Sequence, residues 1–501
     1  MFTKVLIANR GEIAVRIART LRDMGIRALA IFSEADRTAR HVRIADEAYS
    51  LNPLQDTEAY LNIAAIVDIA RRSGAQAVHP GYGFLSENAE FASACADAGL
   101  VFIGPRPEHI EIMGSKTTAR QTMAKAGLPL VPGSNAGSDA ELAAAAEQIG
   151  FPLLIKAVAG GGGRGMRLVR NKEELQSVLT SARRESQNAF GSDEMFLEKA
   201  IVRPRHVEVQ VLGDRHGNAV HLFERDCSIQ RRHQKIIEET PAPLSDATKK
   251  LLPTMHQAAQ QATQRLGYIG AGTMEFLVSE QDNAYYFLEM NTRIQVEHPI
   301  TELTTGWDLI EAQIRIAADL PMGMKQENIR QLGHALECRV YAEDPYRGFL
   351  PSPGQIRVMR EPSGPNVRND SGYVQGAEVP SAFDAMISKL CTWGPTRQSA
   401  IQRMQRALCE YAIVGIDTNL AYLSSIVGHE AFRSGHYSTD FIERYHQELQ
   451  PPPLDPLSRH ALAASAVVAQ QDTKVRIQSA SHAAEHTGEI SAWRRAVCEP
   501  S

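Results

Sequence analysis

Lys4-Val5-Leu6-Ile7-Ala8-Asn9-Arg10-Gly11-Glu12-Ile13 decides the fold of this chain. Residues 4–8 are a short apolar run, and Asn9-Arg10-Gly11 is a turn. Ile13, Val15, Ile17, Ala18 and Leu21 then recur at helical spacing until Gly25. Residues 28–33 read as the next strand, and 75–79 and 101–104 continue the alternation. Strands separated by helices specify a parallel sheet covered on both faces, a doubly wound α/β lobe. The turn at 8–12 is not Gly-x-Gly-x-x-Gly, so no dinucleotide is implied there.

Working outward, Lys116 begins a helical stretch to Gly127, and Pro129 and Pro132 punctuate the entry to a second region. A helix is expected at 139–149, a strand at 152–157, a glycine-rich loop at 160–165, a strand at 166–169 and a helix from Glu173. That is a small α+β lobe. From about Pro204 the chain becomes strand-rich and antiparallel in character, with helices at 252–266, 309–318 and 396–411. Pro451-Pro452-Pro453 then breaks it, and a tail rich in alanine, serine and glutamine follows. The tail is expected to be flexible, with a short helix near 460–471.

Composition excludes several classes. The 501 residues exceed one small core, and 43% hydrophobic with 22% charged content is ordinary for a globular chain. A net charge of −5 provides no global field toward nucleic acid or anionic lipid. Six scattered cysteines without a Cys-x-x-Cys pair fit a reduced compartment, not a disulfide scaffold or cysteine zinc site. No membrane-spanning run and no signal peptide are evident, so a cytoplasmic location is the expectation.

The chemistry concentrates at Glu289, Asn291, Arg293, Gln295 and Glu297, five polar side chains at every-other spacing. In an extended chain they share one face. Glu289 and Asn291, with Glu275 from a preceding strand, read as oxygen ligands for Mg²⁺ shared with nucleotide phosphates; a hydrated acidic face is the bland alternative. Residues 279–283 look turn-like, so the two strands should form a hairpin. Arg293 offers a planar fork for a carboxylate-like anion, Gln295 adds a neutral donor, and Glu297 is placed to take a proton. The competing reading is an Arg293–Glu297 salt bridge. The glycine loop lies between two strands, so it is no Walker loop, yet its bare amides suit covering polyphosphate. Lys156 sits in an apolar strand and requires a partner. The strand 205–210 places His206, Glu208 and Gln210 on one face, and the run from Glu224 to Lys235 is dense in donors interleaved with acids, which weakens a nucleic-acid reading.

These motifs resemble biotin carboxylase of the ATP-grasp superfamily. The matching segments are Ala8-Asn9-Arg10-Gly11-Glu12-Ile13, His79-Pro80-Gly81-Tyr82-Gly83-Phe84-Leu85-Ser86-Glu87-Asn88, Met113-Gly114-Ser115-Lys116, the glycine loop, Arg205-His206-Val207-Glu208, the stretches 224–235 and 289–298, Glu337-Cys338-Arg339, 349–354 and Asp384-Ala385-Met386-Ile387. They keep the family's order over residues 1 to about 446. The resemblance implies a three-lobed ATP-grasp architecture: an N-terminal α/β lobe (1–113), linker helices and lid (114–203), an antiparallel core and C-terminal lobe (204–446), and the tail (447–501). By resemblance, Lys116, Lys156, Met166, Glu198, Lys199, His206, Gln230, His233, Glu275, Leu277 and Glu289 contact ATP, with Gly162 and Gly163 closing over phosphate. Glu275, Glu289 and Asn291 would hold Mg²⁺ or Mn²⁺. Lys235, Arg293, Gln295, Val296 and Glu297 would bind bicarbonate, with Glu297 as the base. Tyr82, His206, Gln230, His233 and Arg339 would form the biotin pocket, with Arg339 stabilising the biotin enolate.

Carrier domains of this family present biotin on the lysine of an Ala-Met-Lys-Met hairpin, and no such tetrapeptide occurs here. The resemblance therefore implies biotin on a separate carboxyl carrier protein, a carboxyltransferase partner and a homodimer. The expected role is the biotin carboxylase component of an acetyl-CoA-type acyl-CoA carboxylase or a 2-oxo acid carboxylase. The alternatives are another ATP-grasp ligase, acting on a carboxylate–amine pair, and a non-catalytic ATP-binding subunit.

Overall fold

The computed structural model describes residues 1–54, 56–158, 166–232 and 234–451. Contacts divide the chain into two compact units, Met1–Leu449 and Gln450–Ser501, and the first unit holds all three principal sheets. The Gly162, Gly163 and His233 expectations lie outside the described residues, as does the tail helix.

The opening segment folds as its pattern requires. Lys4–Ile7 is the middle strand of a five-stranded parallel sheet, ordered Glu47–Ser50, Arg27–Phe32, Lys4–Ile7, Ala77–His79, Val101–Phe102. Both faces are covered, so Val5, Leu6 and Ile7 are all buried. The helix Gly11–Asp23 follows directly. Asn9 then ties down the loop after the fourth strand: its Nδ2 donates to Pro80 O at 2.7 Å and Tyr82 O at 2.8 Å. Gly81 permits this approach, since a Cβ there would stand 2.9 Å from Asn9 Nδ2, at a φ of +64°.

The second sheet has three antiparallel strands, Met166–Val169, Leu153–Ala157 and Met195–Lys199. Its helices Asp139–Ile149 and Lys172–Phe190 are started by Ser138, in a capping box, and by Asn171. They close a separate small core around Leu142, Leu153, Ile155, Leu179 and Leu197.

The third sheet has eight antiparallel strands in the order Ala284–Asn291, Gly270–Ser279, Arg205–Gly213, Ala219–Arg231, Gln234–Thr240, His334–Tyr341, Met386–Gly394, Val367–Ser371. The expected hairpin is its first two strands. Helices Leu252–Leu266 and Arg397–Glu410 pack on it. Among the described residues Cys95, Cys227, Cys338, Cys391 and Cys409 are free thiols, and no helix is long and apolar enough to cross a membrane.

Candidate active site

The register of the large sheet assembles the site. Glu275 lies opposite Glu289 on one side and opposite Glu208 on the other, and Arg225 lies opposite Glu208. Three carboxylates in a row across neighbouring strands repel unless cations offset them. Arg225, wholly buried, bonds Glu208 at 2.6 Å and also reaches Gln210 and Thr301. His206 Nε2 lies 2.9 Å from Glu275 Oε2. Burial opposes the imidazolium, yet the Glu275 carboxylate raises the pKa of His206 above its ordinary value.

Lys235 is the hub. Its ammonium donates to Glu208 Oε2 at 2.5 Å, Glu275 Oε1 at 2.9 Å and Glu297 Oε1 at 2.8 Å, one bond for each N–H. Burial would lower its pKa, and the surrounding acids carry it well above the usual lysine value instead. Glu297 also accepts from Arg339 at 2.9 Å, and Arg339 pairs with Glu238 at 2.6 Å. Burial alone would push the Glu297 carboxyl up; Lys235, Arg339 and Arg225 outweigh it and hold the group well below the carboxylate range.

The alternation at 289–297 is only half realised. The strand ends at Asn291, and the chain then runs irregularly into the helix His298–Thr305. Convergence of the five polar groups therefore does not come from strand period. Arg293 reaches Asn291 Oδ1 at 3.1 Å and Gln295 Oε1 at 3.3 Å, but Glu297 turns inward. The alternative Arg293–Glu297 salt bridge is not formed; Arg293 Nε pairs with Glu87 Oε2 at 2.9 Å. The Val296 carbonyl accepts from the buried Lys389 at 3.0 Å, and Lys389 ion-pairs with Glu12 at 3.1 Å.

A cleft of about 1710 Å³ collects most of the expected residues. Lys116, Lys156, Met166, Glu198, Lys199, His206, Gln230, Lys235, Glu275, Leu277, Glu289, Asn291, Arg293, Gln295, Val296, Arg339 and Tyr82 all line it. Glu297 does not; it is fully buried behind Lys235 and Arg339. Lys156 has the partner its strand required, the buried Glu198, which also takes Arg120. Lys199 turns its ammonium to the backbone, donating to Gly150 O at 3.0 Å and Phe151 O at 2.8 Å, so it holds a loop rather than projecting a free charge.

The donor set fits a hard divalent cation. Glu289 stands exposed in the cleft beside Glu275, and its confined setting and that neighbouring charge push its pKa up. Asn291 Oδ1 completes an all-oxygen group, which suits Mg²⁺ rather than zinc. Two buried trios, His206–Glu208–Glu275 and Glu208–Cys227–Glu297, also bring donor atoms within 4.8 Å. Lys235 already bonds two carboxylates of each, so an ammonium holds those centres.

Sequence reasoning assigned no role to Glu87, Arg120, Arg225, Glu238 or Lys389. Glu87 lies within the quoted 79–88 segment, but nothing local links it to Arg293, 206 positions away. Arg225 carried a signal only as one cation of the acid-interleaved run from Glu224 to Lys235.

Residues 1–110 match the model for the biotin carboxylase N-terminal domain, 115–325 the ATP-binding domain of the carbamoyl-phosphate synthase L chain, and 337–444 the biotin carboxylase C-terminal domain. Biotin carboxylase 1 of Bacillus subtilis is 48% identical over 447 residues, 89% of this chain and 99% of the relative. This chain belongs to the biotin carboxylase family. The α subunit of rat mitochondrial methylcrotonoyl-CoA carboxylase is 50% identical over 90% of this chain, and the matched region spans 63% of that longer relative. The biotin carboxylase domain dimer of Hydrogenobacter thermophilus 2-oxoglutarate carboxylase, solved with MgADP, ADP and bicarbonate, superposes with a TM-score of 0.83 at 45% identity, covering 90% of this chain and 99% of that one. Biotin carboxylase from Campylobacter jejuni, solved as a β,γ-ATP complex, gives 0.82 at 44% identity, covering 89% and 99%.

Proposed function

We propose that the chain carboxylates biotin, using ATP and bicarbonate, with the biotin carried on a separate protein. The observation that supports it best is the meeting of Lys235, Glu297 and Arg339 at the floor of a cleft whose wall carries Glu275, Glu289, Asn291 and Arg293.

The expected order of events follows from the groups. Arg293 and Gln295 grip bicarbonate, and Lys235 offsets its charge against the incoming triphosphate. Glu297 takes the bicarbonate proton as the oxygen attacks the γ-phosphorus; ADP leaves and carboxyphosphate forms. Paired with Lys235 and Arg339 and so held far below neutrality, Glu297 is a weak base. Bicarbonate and biotin draw Lys235 and Arg339 partly toward the cleft, which releases the carboxylate and raises its basicity. Phosphate leaving carboxyphosphate then takes the ureido N–H proton, Arg339 offsets the resulting negative charge on the ureido oxygen, and the ring nitrogen bonds the released carboxyl carbon. Mg²⁺ held by Glu275, Glu289 and Asn291 would neutralise phosphate charge. Lys116, Lys156 and the loop at 160–165 would cover the nucleotide and keep water from the labile intermediate.

We further propose the division 1–113, 114–203 and 204–446, a homodimer, a biotin carboxyl carrier partner and a carboxyltransferase partner that presents an acyl-CoA or 2-oxo acid acceptor. The test is ADP release with bicarbonate, with and without free biotin. Bicarbonate-dependent release stimulated by biotin is the expected result. Bicarbonate-independent turnover with an amine, or ATP binding without turnover, would overturn the reading.

A further inference from the structure

Behind Arg339 lies a pair of acids that the carboxylation chemistry does not use. Glu238 and Glu337 face each other directly across neighbouring strands, and both are fully buried. Directly opposed side chains in an antiparallel pair stand about 5 Å apart at Cβ and leave the sheet on the same face. Each has one oxygen accounted for. Glu238 Oε1 accepts from Arg339 at 2.6 Å, and Glu337 Oε2 accepts from the Cys391 thiol at 3.3 Å. The other oxygen of each, Glu238 Oε2 and Glu337 Oε1, is buried and has no hydrogen-bond partner. Two orphaned acceptors on one face of a buried ladder can satisfy each other only if one carries a proton.

The charges around the pair decide which one. Glu238 has a cation, Arg339. Among the described residues no lysine, arginine or histidine nitrogen lies within ion-pair distance of Glu337. Lys389, the nearest candidate on the adjoining strand, gives its ammonium to Glu12 and Val296 O. Glu297 adds negative charge from the other side of Arg339, while among the described residues Lys235 bonds Glu208, Glu275 and Glu297. Cys338 and Cys391, the buried thiols nearby, are pushed up and stay neutral. The directions agree: burial and the Glu238 charge, opposed by Lys389 and Arg339, push Glu337 well above the usual carboxylate range, while burial, opposed by Arg339, moves Glu238 only to about 7.

We propose that Glu337 is a neutral acid that donates its proton to Glu238, and that this bond keeps Glu238 ionised and aims Arg339 between Glu297 and the cleft. Glu337 and Glu238 are thus positioning residues for the biotin half-reaction, acting through Arg339. This role rests on the proposed biotin carboxylation. Ionising Glu337 places a second carboxylate against Glu238, which pulls Arg339 back from the cleft, so the half-reaction fades at alkaline pH.

The experiment compares the pH dependence of biotin-stimulated ADP release in the wild type, Glu337→Gln, Glu337→Met and Glu238→Gln, with bicarbonate-dependent ATP cleavage without biotin as the control. An amide is the isostere of a neutral acid. Glu337→Gln should therefore keep kcat/KM for biotin within about 3-fold near neutrality and lose the alkaline fall, whereas Glu337→Met and Glu238→Gln should lose about 10-fold or more. Cleavage without biotin should change little in all three. If Glu337→Gln is as impaired as Glu337→Met, fails to fold where Glu337→Met folds, or keeps the wild-type alkaline fall, the neutral-acid assignment is wrong. Should neither position-337 variant fold, Glu238→Gln decides: full biotin-dependent activity there overturns the proposal. A wild type that biotin does not stimulate would instead overturn the proposed function.

Discussion

Lys235 Nζ and Glu297 Oε1 lie 2.8 Å apart at the floor of the cleft, the ammonium partly at the surface and the carboxylate sealed behind it. In the proposed reaction the base would thus be guarded by the cation that also faces the substrate anions. Lys235 is the common partner of three carboxylates, so its loss is felt by all of them.

Replacing Lys235 with Met should abolish bicarbonate-dependent ATP cleavage and destabilise the fold by roughly 3–5 kcal/mol, the usual cost of stranding buried charge. Lys235→Arg should not restore activity, because a planar fork cannot direct one bond to each of three acids around a point. Denaturant unfolding and ADP release check both. A Lys235→Met protein of wild-type stability would contradict the geometry.

Arg339→Ala should separate the half-reactions. ATP cleavage with bicarbonate should survive within about 10-fold, and biotin carboxylation should fall by about 10² or more, as for loss of one charge-stabilising donor. Equal loss of both would show that Arg339 serves the first step instead. Glu297→Ala should remove both.

Glu87 is among the residues whose placement only the coordinates revealed. It accepts from Arg293 Nε and from the Thr292 N–H at 3.1 Å, holding the proposed anion fork in place from the N-terminal lobe. Glu87→Ala should raise KM for bicarbonate about 10-fold with kcat little changed, since it loosens a binding group without touching the proton transfer. Because the ion pair is partly exposed, stability should move by less than about 1 kcal/mol. An unaltered KM would rule out this positioning.

Acid should unfold the protein partly through buried neutral histidines. His41 and His79 are fully buried, and burial lowers their pKa values to about 4 and about 3. Between those values and 6.5 the unfolded chain binds more protons, so stability is fully present above 6.5 and is lost as pH falls. Each group contributes up to about 1.4 kcal/mol per pH unit in that window. Unfolding midpoints at pH 7 and pH 5 should differ less for His41→Gln than for the wild type. An equal shift in both proteins would mean that His41 is not neutral in the fold.

The α/β lobe, the hairpin carrying Glu275 and Glu289, and the partner demanded by Lys156 were legible in the sequence, because each follows from side-chain period or local charge cost. The failure at 289–297 is instructive. The every-other pattern suggested one long strand, but only its first part is a strand, and Glu297 is turned inward by Lys235 and Arg339, which come from distant strands.

The sequence by itself determined the α/β alternation of the first lobe, the hairpin at 270–291 and the candidate polar groups, since apolar period and local turn preferences act over a few residues. Only the tertiary structure decided that Glu289, Glu275, Glu208 and Arg225 share one row, that Glu87 rather than Glu297 takes Arg293, and that Glu238 meets Glu337. Those pairings depend on strand order and register, which long-range packing selects and no local spacing encodes.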